Sequence, residues 1–327
     1  MRSLWALICA RNLEFIRDRS ALGWSTIFPI ILIMAIAMVF TQHQSPMFRI
    51  GYMQGSEVPA SLLELDHIDF IEYQDPQLAQ LKISRHQLDL LIEQDHYLIN
   101  PESRSSYFAE QLLLADSQNW QSQDITGEPL RYVEWIMPGV IGMNMMFSAL
   151  FGIGYGVVRY RRTGVLRRLH VTPVKPWQFI GAQLISRLCS LLVSSAVVFI
   201  LICLLFSIEI EGSIWLLLLS TALGGMAMIS IGLLVASRTR SEEYSNGILN
   251  LLSWPMMFLS GVWFSLEGAL PWVKQLAEFL PLTQMNRANR AILLDGAAIG
   301  EIMPDLLALA AMTVTLLLIT CWRFRWD

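Results

Sequence analysis

The sequence has 327 residues, of which 54% are hydrophobic and only 15% are charged, and its formal net charge is −4. A soluble globular chain usually has about 25% charged residues and does not gather its apolar residues into long blocks, as this chain does. The composition therefore argues against a soluble enzyme and against a nucleic-acid-binding protein. The cysteines form no CxxC pair, which argues against a disulfide framework or a zinc knuckle. They are Cys9, Cys189, Cys203 and Cys321.

Residues 1–21 predict an amphipathic helix that lies in the membrane interface. At 100° per residue, seven apolar residues share one face and charged residues occupy the other. The apolar face consists of Leu4, Trp5, Ile8, Cys9, Leu13, Phe15 and Ile16. The apolar block 22–40 follows without a small-residue cleavage site after it. We therefore interpret this block as a retained first transmembrane helix and not as a signal peptide.

Six apolar blocks are long enough to span the hydrocarbon core of a bilayer, which takes about 18 or more residues as a helix. They are residues 22–40, 135–158, 179–206, 214–236, 248–266 and 303–322. The predicted fold is therefore an all-α polytopic membrane domain, residues 134–327 together with the first span, with six transmembrane helices.

Residues 41–133 separate the first two spans and predict a small α/β domain. They contain 14 acidic residues against 5 Lys and Arg, a local charge of about −9. Strand-like runs alternate with two helix-like runs, at Val58–Leu65 and Arg104–Asp116. The strand-like runs are Phe48–Met53, Ile68–Tyr73, Leu88–Glu93 and Tyr97–Asn100.

The distribution of Lys and Arg predicts which side of the membrane each segment faces. Cytoplasmic loops carry an excess of these residues close to the ends of the spans. With the N-terminus inside, 14 of them fall on the cytoplasmic side near span ends, and 8 fall outside, spread over long segments. We expect a multi-pass protein of the cell inner (cytoplasmic) membrane, with both termini cytoplasmic and residues 41–133 extracytoplasmic.

Residues 267–302, between the fifth and sixth spans, are too long and too apolar for a simple outer loop. Apolar and polar residues alternate at helical spacing from Trp272 to Leu280, and Pro281 then interrupts the run. A second helical run follows from Thr283 to Leu294. The pattern predicts two short helices that dip into the outer leaflet, because helices satisfy their own backbone there.

The predicted cytoplasmic segment 159–178, between the second and third spans, carries six positive charges within seventeen residues. On charge alone, this segment could be no more than a topology signal. However, Val165, Leu166 and Leu169 interleave with arginines at helical spacing, and Pro173 ends the run. The pattern favours a short amphipathic helix that docks into a groove of a partner.

This segment resembles the coupling segment of ABC-2 type exporter permeases, in the string Gly164-Val165-Leu166-Arg167-Arg168-Leu169 followed by Val171-Thr172-Pro173-Val174. Residues 132–139 (YVEWIMPG) are similar to the family's proline–glycine entry to the second span. Residues 280–283 and 290–296 are similar to its outer re-entrant region. Residues 51–56 resemble the start of the external domain in the drug-exporter-like branch. These motifs occur in the family's order, and the resemblance covers nearly the whole chain.

The resemblance implies the membrane subunit of an exporter of amphipathic or hydrophobic solutes. Two such subunits, identical or paired with a related permease, would lie in the lipid bilayer and bind two separate ATPase subunits. The residues implied in coupling are Arg161, Arg162, Gly164, Val165, Leu166, Arg167, Arg168, Leu169, Thr172 and Pro173. Residues of the outer re-entrant region are Pro281, Leu282, Thr283 and Arg290.

The resemblance also implies that the second and fifth spans flank the path of the solute. On these spans, polar and aromatic residues share one helical face, and the candidates for lining the path are Asn144, Phe147, Phe151, Asn250, Trp254 and Phe258. The alternative is that these faces serve interhelical hydrogen bonding and packing. Arg187 in the third span is close enough to the inner interface to extend its charge there. Gly152 and Gly156 form a GxxxG pair, which favours helix packing.

ATP hydrolysis requires a phosphate-binding loop of the form G-x-x-x-x-G-K-[ST]. The three lysines, Lys82, Lys175 and Lys274, do not follow a glycine, so this loop is absent from the sequence. We therefore expect no catalytic residue and no cofactor in this chain, with ATP and Mg bound by the partner ATPase. Many family members carry acidic residues near the positions of Arg162 and Arg167, so we expect an unusually acidic partner groove here.

Two other functions stay open. An ion-coupled secondary transporter would need acidic or histidine residues deep in the spans, where the sequence offers only Glu134 at a span edge. A membrane-anchored sensor or enzyme would act through residues 41–133. In that segment Ser103, Ser105 and Ser106 have no evident His and Asp partners. A metal site would require one helical face for His86, Asp89, Glu93 and His96, but the apolar run between them favours a strand, and we expect no metal site.

Overall fold

The computed structural model describes residues 5, 8, 9, 27, 29–34, 48–56, 68–93, 96–116, 121–125, 130–208, 210–237, 239, 241–263, 266, 270–324 and 326. The chain divides into two compact units. One unit is Val39–Tyr132, and the other combines Met1–Met38 with Val133–Asp327.

The unit Val39–Tyr132 contains a five-stranded mixed sheet. Its strands are β1 (Phe48–Met53), β2 (Ile68–Tyr73), β3 (Leu90–Ile92), β4 (His96–Ile99) and β5 (Gln121–Asp124). The strand order is β2-β1-β3-β4-β5. β1 is parallel to β2 and β3, β3 is antiparallel to β4, and β4 is parallel to β5.

Two helices, α1 (Pro76–Ser84) and α2 (Arg104–Asp116), cover the two faces of this sheet. Leu90 and Ile92 pack with the α2 side, whereas Leu91 packs with the α1 side, as the two-residue period of a strand requires. β3 is therefore buried on both faces, which explains its uninterrupted apolar sequence. α1 begins at Pro76, where the Asp75 carboxylate accepts a hydrogen bond from the Gln77 N–H at 2.9 Å.

β1, β2 and α2 have the bounds that the sequence predicted, and β3 and β4 differ from their predicted bounds by one or two residues. α1 and β5 were not predicted, because α1 is short and weakly amphipathic and β5 is an entirely polar edge strand, QSQD. The predicted helical run Val58–Leu65 lies outside the described residues.

The described part of the other unit is helical, with eight helices in the ranges 130–208, 210–237, 241–263 and 270–324. They are α3 (Tyr132–Arg162), α4 (Val165–His170), α5 (Pro176–Phe206), α6 (Ile214–Ala236), α7 (Glu242–Leu259), α8 (Pro271–Glu278), α9 (Pro281–Asp295) and α10 (Ile299–Arg323). Within these ranges, four helices are long and apolar enough to cross a membrane, namely α3, α5, α6 and α10. They correspond to the predicted second, third, fourth and sixth spans.

The other two predicted spans have different outcomes. The first, residues 22–40, lies mostly outside the described residues, although residues 27 and 29–34 are helical. Of the predicted interfacial helix, residues 1–21, the structure describes only residues 5, 8 and 9, which are also helical. The six-span count therefore stays a prediction.

The predicted bounds of the fifth span, 248–266, were wrong. The helix in this region, α7, begins at Glu242 because the Ser241 hydroxyl caps it, accepting a hydrogen bond from the Tyr244 N–H at 3.2 Å. It ends at Leu259, before a turn in which Gly261 has a positive φ of 64°. Its first two turns carry acidic and amide side chains, so α7 is less apolar than the four candidate spans.

The two short helices predicted for the outer region are present as α8 and α9. α8 exposes Trp272 and Leu276, whereas most of α9 is buried although its sequence is polar on average. α9 packs against α6 and α10, and α6 also packs against α5 and α7. α6 is therefore central among the described helices of this unit, since it contacts α5, α7, α9 and α10.

Candidate functional site

The predicted coupling segment contains the short helix that its sequence pattern indicates, α4, Val165–His170. α3 ends at Arg162, and Gly164 then turns the chain with a φ of +75°, a left-handed conformation that glycine adopts without strain. Leu166 is fully buried, and Leu169 is half-buried, whereas Arg167 and Arg168 are exposed. α4 is therefore amphipathic, with its leucines packed against the unit and its arginines in solvent.

The exposed part of the segment continues beyond α4. Val171 is 87% exposed, and Thr172 and Pro173 are also exposed. We call the surface formed by Arg167, Arg168, Val171, Thr172 and Pro173 the docking surface. It combines two positive charges with an apolar contact. Val171 belongs to the string that resembles the family's coupling segment, but it was not among the predicted coupling residues.

Arg161 was predicted to contact the ATPase, but it lies inside the unit and is only 7% exposed. Its guanidinium donates hydrogen bonds to the carbonyl oxygens of Ala236, Ser237 and Thr239, at 2.8, 2.8 and 2.6 Å. These carbonyls belong to the last turn of α6 and the residues just after it. Arg161 therefore joins the end of α3 to the end of α6 and is not part of the docking surface.

Arg162, the last residue of α3, is exposed, and its Nη1 lies 3.4 Å from Oε1 of Glu242, the first residue of α7. Both side chains line an open cavity of about 630 Å³ together with Tyr155, Arg159 and Thr163. An exposed ion pair of this length contributes little stability. The cavity therefore presents both positive and negative charge at the end of α3 that is predicted to face the cytoplasm.

An aromatic cluster that the sequence reasoning missed holds the segment on its other side. The Trp326 ring lies 6.0 Å from the His170 ring, 5.9 Å from the Phe179 ring and 5.3 Å from the Phe324 ring, measured between centroids. Phe179 and Phe324 are 5.6 Å apart. The cluster joins the end of α4 and the start of α5 to the residues that follow α10. The only sequence signal is the aromatic run WRFRW at the C-terminal end of the last span.

The face of α3 predicted to line a path carries a column of aromatic rings. Phe147 and Phe151 are stacked with centroids 6.0 Å apart, and Phe151 lies 6.3 Å from Tyr155. Asn144 and Phe147 are half-buried, and Tyr155 is exposed. The column therefore runs along α3 to the cavity that Tyr155 lines.

The corresponding face of α7 is also aromatic. Trp254 and Phe258 stack with centroids 6.1 Å apart, and each is about half exposed. The Asn250 Nδ2 donates within α7, to the Asn246 carbonyl and side-chain oxygens, at 2.9 and 3.0 Å. α3 and α7 meet where Leu249 packs against Gly154. The structure thus places the two aromatic faces on neighbouring helices.

The interpretation of Gly152 as part of a GxxxG contact was incomplete, and so was the placement of Arg187 near the inner interface. The Arg187 guanidinium lies against Gly152 and donates a hydrogen bond to the Ser148 carbonyl oxygen of α3. A side chain at position 152 would occupy the space of this guanidinium. Gly152, which directly follows Phe151 in α3, therefore accommodates an arginine from α5.

The predicted outer residues belong to α9, which is tied to the rest of its unit by polar side chains. Thr283 Oγ1 lies 3.0 Å from Ser260 Oγ, and Asn286 donates to the Ser260 carbonyl at 3.2 Å. Arg290 Nε donates to the Trp135 carbonyl at 3.0 Å, and its guanidinium lies 3.9 Å from the Trp135 ring centroid. Pro281 begins α9, and Leu282 is fully buried.

α9 also contacts α10 and α6. Arg287 forms an ion pair with Asp305, which is buried, and Asn289 donates to Thr221 Oγ1 at 3.3 Å. The pKa of the Arg287 guanidinium is raised by its hydrogen bond to the Asp305 carboxylate. Asp305 is a carboxylate in the predicted sixth span that the sequence reasoning did not consider. It neutralises Arg287 at the start of α10.

In the unit Val39–Tyr132, residues 90–92 and 96–99 are strands, so His86, Asp89, Glu93 and His96 do not share a helical face. His96 Nε2 instead lies 3.1 Å from Glu93 Oε2. Among the residues described in both units, no group of three or more His, Cys, Asp or Glu side chains could hold a metal ion.

Of the three serines considered as catalytic candidates, Ser105 has an aspartate partner in the structure. Its hydroxyl donates to Asp89, whose other carboxylate oxygen accepts from the Arg49 N–H at 2.7 Å. Ser103 Oγ lies 3.0 Å from Ser105 Oγ and accepts from the Ser106 N–H at 3.3 Å. These bonds fasten the start of α2 to the beginnings of the interior strands β1 and β3, which is a structural role.

The comparisons with known proteins agree with this arrangement. A profile described as ABC-2 family transporter protein matches residues 19–322. The chain is 29% identical over 183 residues to the inner membrane transport permease YhhJ of Escherichia coli strain K12, covering 56% of this chain and 49% of that protein, and it matches the Shigella flexneri permease of the same name equally. It is 24% identical over 169 residues to ABC transporter G family member 20 of Dictyostelium discoideum, covering 52% of this chain and 23% of that protein.

The chain therefore spans about half of the first two relatives and less than a quarter of the third. The profile match, however, covers most of the chain and includes the coupling segment, the aromatic faces and α9. The chain belongs to the ABC-2 family of transporter proteins.

Proposed function

We propose that this chain is the membrane-spanning permease subunit of an ABC-2 exporter. It moves an amphipathic or hydrophobic solute outward and uses ATP that a separate subunit hydrolyses. The observation that carries the proposal is α4, a short amphipathic helix between two long apolar helices, whose leucines are packed and whose arginines are exposed. A helix of this kind has a polar face that is free to enter the groove of another protein.

The docking surface supports a partner with an acidic groove. Arg167 and Arg168 are adjacent and exposed, and Val171 adds an apolar contact beside them. Arginine suits such a contact because its planar guanidinium can bind a carboxylate through two hydrogen bonds. ATP binding by the partner would move α4 only if the partner binds two arrangements of the permease with different affinities.

The aromatic faces of α3 and α7 support an amphipathic or hydrophobic solute. The column from Phe147 to Tyr155 and the pair Trp254 and Phe258 offer ring surfaces without charges. At the end of the column, the cavity lined by Arg159, Arg162 and Glu242 offers charged groups to the polar end of a solute. Since both signs of charge are present, the cavity selects amphipathic character and not the sign of the charge. A second permease subunit, identical or related, would close the path on its open side.

An ion-coupled secondary transporter is less well supported. Such a transporter needs a titratable group that is accessible to the coupling ion within the membrane. Asp305 is the carboxylate of the predicted sixth span, and it is buried and engaged by Arg287. Asp305 is therefore engaged in an ion pair that holds α9 against α10.

Co-purification of an ATPase tests the proposal. The tagged chain is expressed together with its genomic neighbours and purified in mild detergent, and an ATPase is sought in the eluate by mass spectrometry. The amount of ATPase that co-purifies with the double variant Arg167→Glu/Arg168→Glu should fall at least about tenfold. Two negative charges placed in an acidic groove cost more than about 1.4 kcal/mol of binding free energy.

Arg104→Glu is the matched control, since it reverses an exposed arginine of the unit that is predicted to be extracytoplasmic. It should leave the amount of bound ATPase unchanged. Equal amounts of membrane-inserted protein are required for all three chains. ATPase retention by the double variant at the wild-type level would refute the assignment of the docking surface, and the absence of any bound ATPase would refute the proposed function.

A further inference from the structure

Arg161 has an unusual position for an arginine at the end of a long apolar helix. The neighbouring Arg162 is exposed, but Arg161 is turned into its unit and is almost completely buried. Burying a guanidinium is costly unless its charge and its N–H groups are satisfied. Its Nη1 and Nη2 donate to three carbonyl oxygens at the end of α6, those of Ala236, Ser237 and Thr239.

The end of α6 is a suitable partner for a cation. The last carbonyl groups of an α-helix have no hydrogen-bond donor within the helix and carry partial negative charge. The guanidinium donates to the last carbonyl of α6, that of Ala236, and to the carbonyls of Ser237 and Thr239 just after it, through N–H groups that form a rigid planar fork. A lysine ammonium also has three N–H donors, but they diverge from a single nitrogen and do not reproduce this planar geometry. The contact between α3 and α6 is therefore better suited to arginine than to lysine.

On the α3 side of this contact, the backbone leads from Arg161 directly into α4. Arg161 is three residues before Gly164, and the Gly164 N–H donates to the Arg161 carbonyl oxygen at 3.2 Å. The Arg168 N–H in turn donates to the Gly164 carbonyl oxygen at 3.2 Å. A displacement of α4 thus acts on the residue that is bonded to the end of α6.

α6 connects this contact to the opposite end of the unit. Thr221, near the start of α6, accepts a hydrogen bond from Asn289 of α9 at 3.3 Å, and Met285 of α9 packs against Gly224. A helix of 23 residues is about 35 Å long and transmits an axial or tilting movement as a nearly rigid body. α6 therefore touches the coupling segment at one end and the outer helix α9 at the other.

We infer that Arg161 is a positioning residue that joins the coupling segment to α6, so that a movement of α4 reaches α9 through α6. This inference rests on the proposed function, since the movement of α4 is attributed to a docked ATPase. Arg161 touches neither the solute nor the ATPase. Its substitution should uncouple the outer end of α6 from ATP binding while the ATPase remains bound to the docking surface.

The experiment uses the complex of the full chain with its co-purified ATPase in nanodiscs. The native cysteines are replaced by serine, and Ser213→Cys introduces a label site at the exposed start of α6, where the Ser213 side chain makes no capping hydrogen bond. The rate of modification by a water-soluble maleimide is measured with and without ATP and vanadate. With Arg161 present, the rate should change on ATP trapping.

Arg161→Gln should lose this ATP-dependent change while it retains ATPase binding. Arg161→Lys, which keeps the charge but not the fork, should show a reduced change, and it provides the readout if the glutamine variant does not insert. Arg323→Gln is the matched control, because it removes an exposed arginine at the end of α10 and should respond like the parent chain. A purely structural role would lower the yield and thermal stability but would not separate ATPase binding from the movement of α6.

A full ATP-dependent change in Arg161→Gln would overturn the inference. So would a parent complex that binds the ATPase but shows no change at position 213. If the chain binds no ATPase at all, that result contradicts the proposed function and is distinct from a failure of the inferred role of Arg161.

Discussion

Gly142 lies where α9 packs against α3, and its replacement by alanine tests this contact. A Cβ atom at position 142 would be 2.5 Å from Asn286 Oδ1, 2.8 Å from Met285 Cε and 3.0 Å from Leu282 Cδ1. Carbon atoms in favourable contact are about 3.5–4.0 Å apart, so all three atoms must move. All three neighbouring side chains are buried, and Asn286 is also held by its hydrogen bond to the Ser260 carbonyl.

The magnitude follows from the cost of overpacking a well-packed interior. One extra methyl group that forces neighbouring side chains aside costs about 1–3 kcal/mol. Alanine favours a helix over glycine by about 1 kcal/mol, which leaves a net cost of about 0–2 kcal/mol relative to the parent chain. For a domain of this size, each kcal/mol lowers the melting temperature by about 2–4 °C, so Gly142→Ala should lower it by up to about 8 °C.

Gly247 of α7 provides the control, because a Cβ atom there would meet no other atom within 4 Å. Gly247→Ala should leave the apparent melting temperature unchanged or raise it slightly, through the intrinsic helix preference of alanine alone. The assay is scanning fluorimetry of the purified chains in one detergent, read as apparent midpoints at one scan rate. If Gly142→Ala were as stable as Gly247→Ala, the close packing of α9 on α3 would be refuted.

Three further predictions concern other parts of the chain. Trp326→Ala should weaken ATPase co-purification, since it removes three ring contacts worth about 0.5–1.5 kcal/mol each, whereas Trp322→Ala, at an 85% exposed position of α10, should not. Burial and the hydrogen bond to Glu110 raise the pKa of Tyr97 from 10.0 to about 12, so the stability due to its neutral form is complete below pH 10 and is lost as the pH rises towards 12. Ultraviolet difference titration of Tyr97→Phe against the parent chain should reveal one tyrosine that ionises near 12 and not near 10. Arg104→Cys in a cysteine-free chain should react with a membrane-impermeant maleimide added outside intact spheroplasts, and labelling only after permeabilisation would reverse the predicted topology.

The elements that could be predicted from the sequence are those whose pattern is local. Leu90–Ile92 is an uninterrupted apolar run, as expected for a strand that is buried on both faces. In α4, leucines and arginines interleave at helical spacing, as expected for a helix that is packed on one side only. In both cases each residue's surroundings follow from its place in a short periodic element.

The role of Arg161 could not be read from its charge, because Arg161 and Arg162 are the same residue type in the same cluster. The position of Arg161 around the axis of α3, however, does indicate that its side chain is buried. Gly154, Val157, Val158 and Arg161 follow the i, i+3, i+4, i+7 pattern and are all buried, so the packed face of α3 continues through Arg161. The partner of this face, the end of α6, is set by tertiary structure and has no local signature.

The contacts around Arg187, Asp305 and Trp326 were missed for a related reason. Each joins residues that are far apart in the sequence, at separations of 39 for Arg187 and Ser148 and 18 for Arg287 and Asp305. An isolated polar residue in an apolar block indicates that a partner is needed, but it does not indicate which helix provides that partner.

ATP hydrolysis in nanodiscs, measured for the purified chain with and without the ATPase that co-purifies with it, tests the central claim most directly. We expect the chain alone to hydrolyse no ATP and the complex to hydrolyse it. We expect Arg167→Glu/Arg168→Glu to lower the nanodisc-associated hydrolysis at least about tenfold, in line with its weaker binding of the ATPase. ATP hydrolysis by the chain alone, or nanodisc-associated hydrolysis that the charge reversal does not diminish, would contradict the assignment of this chain as a permease driven through its docking surface.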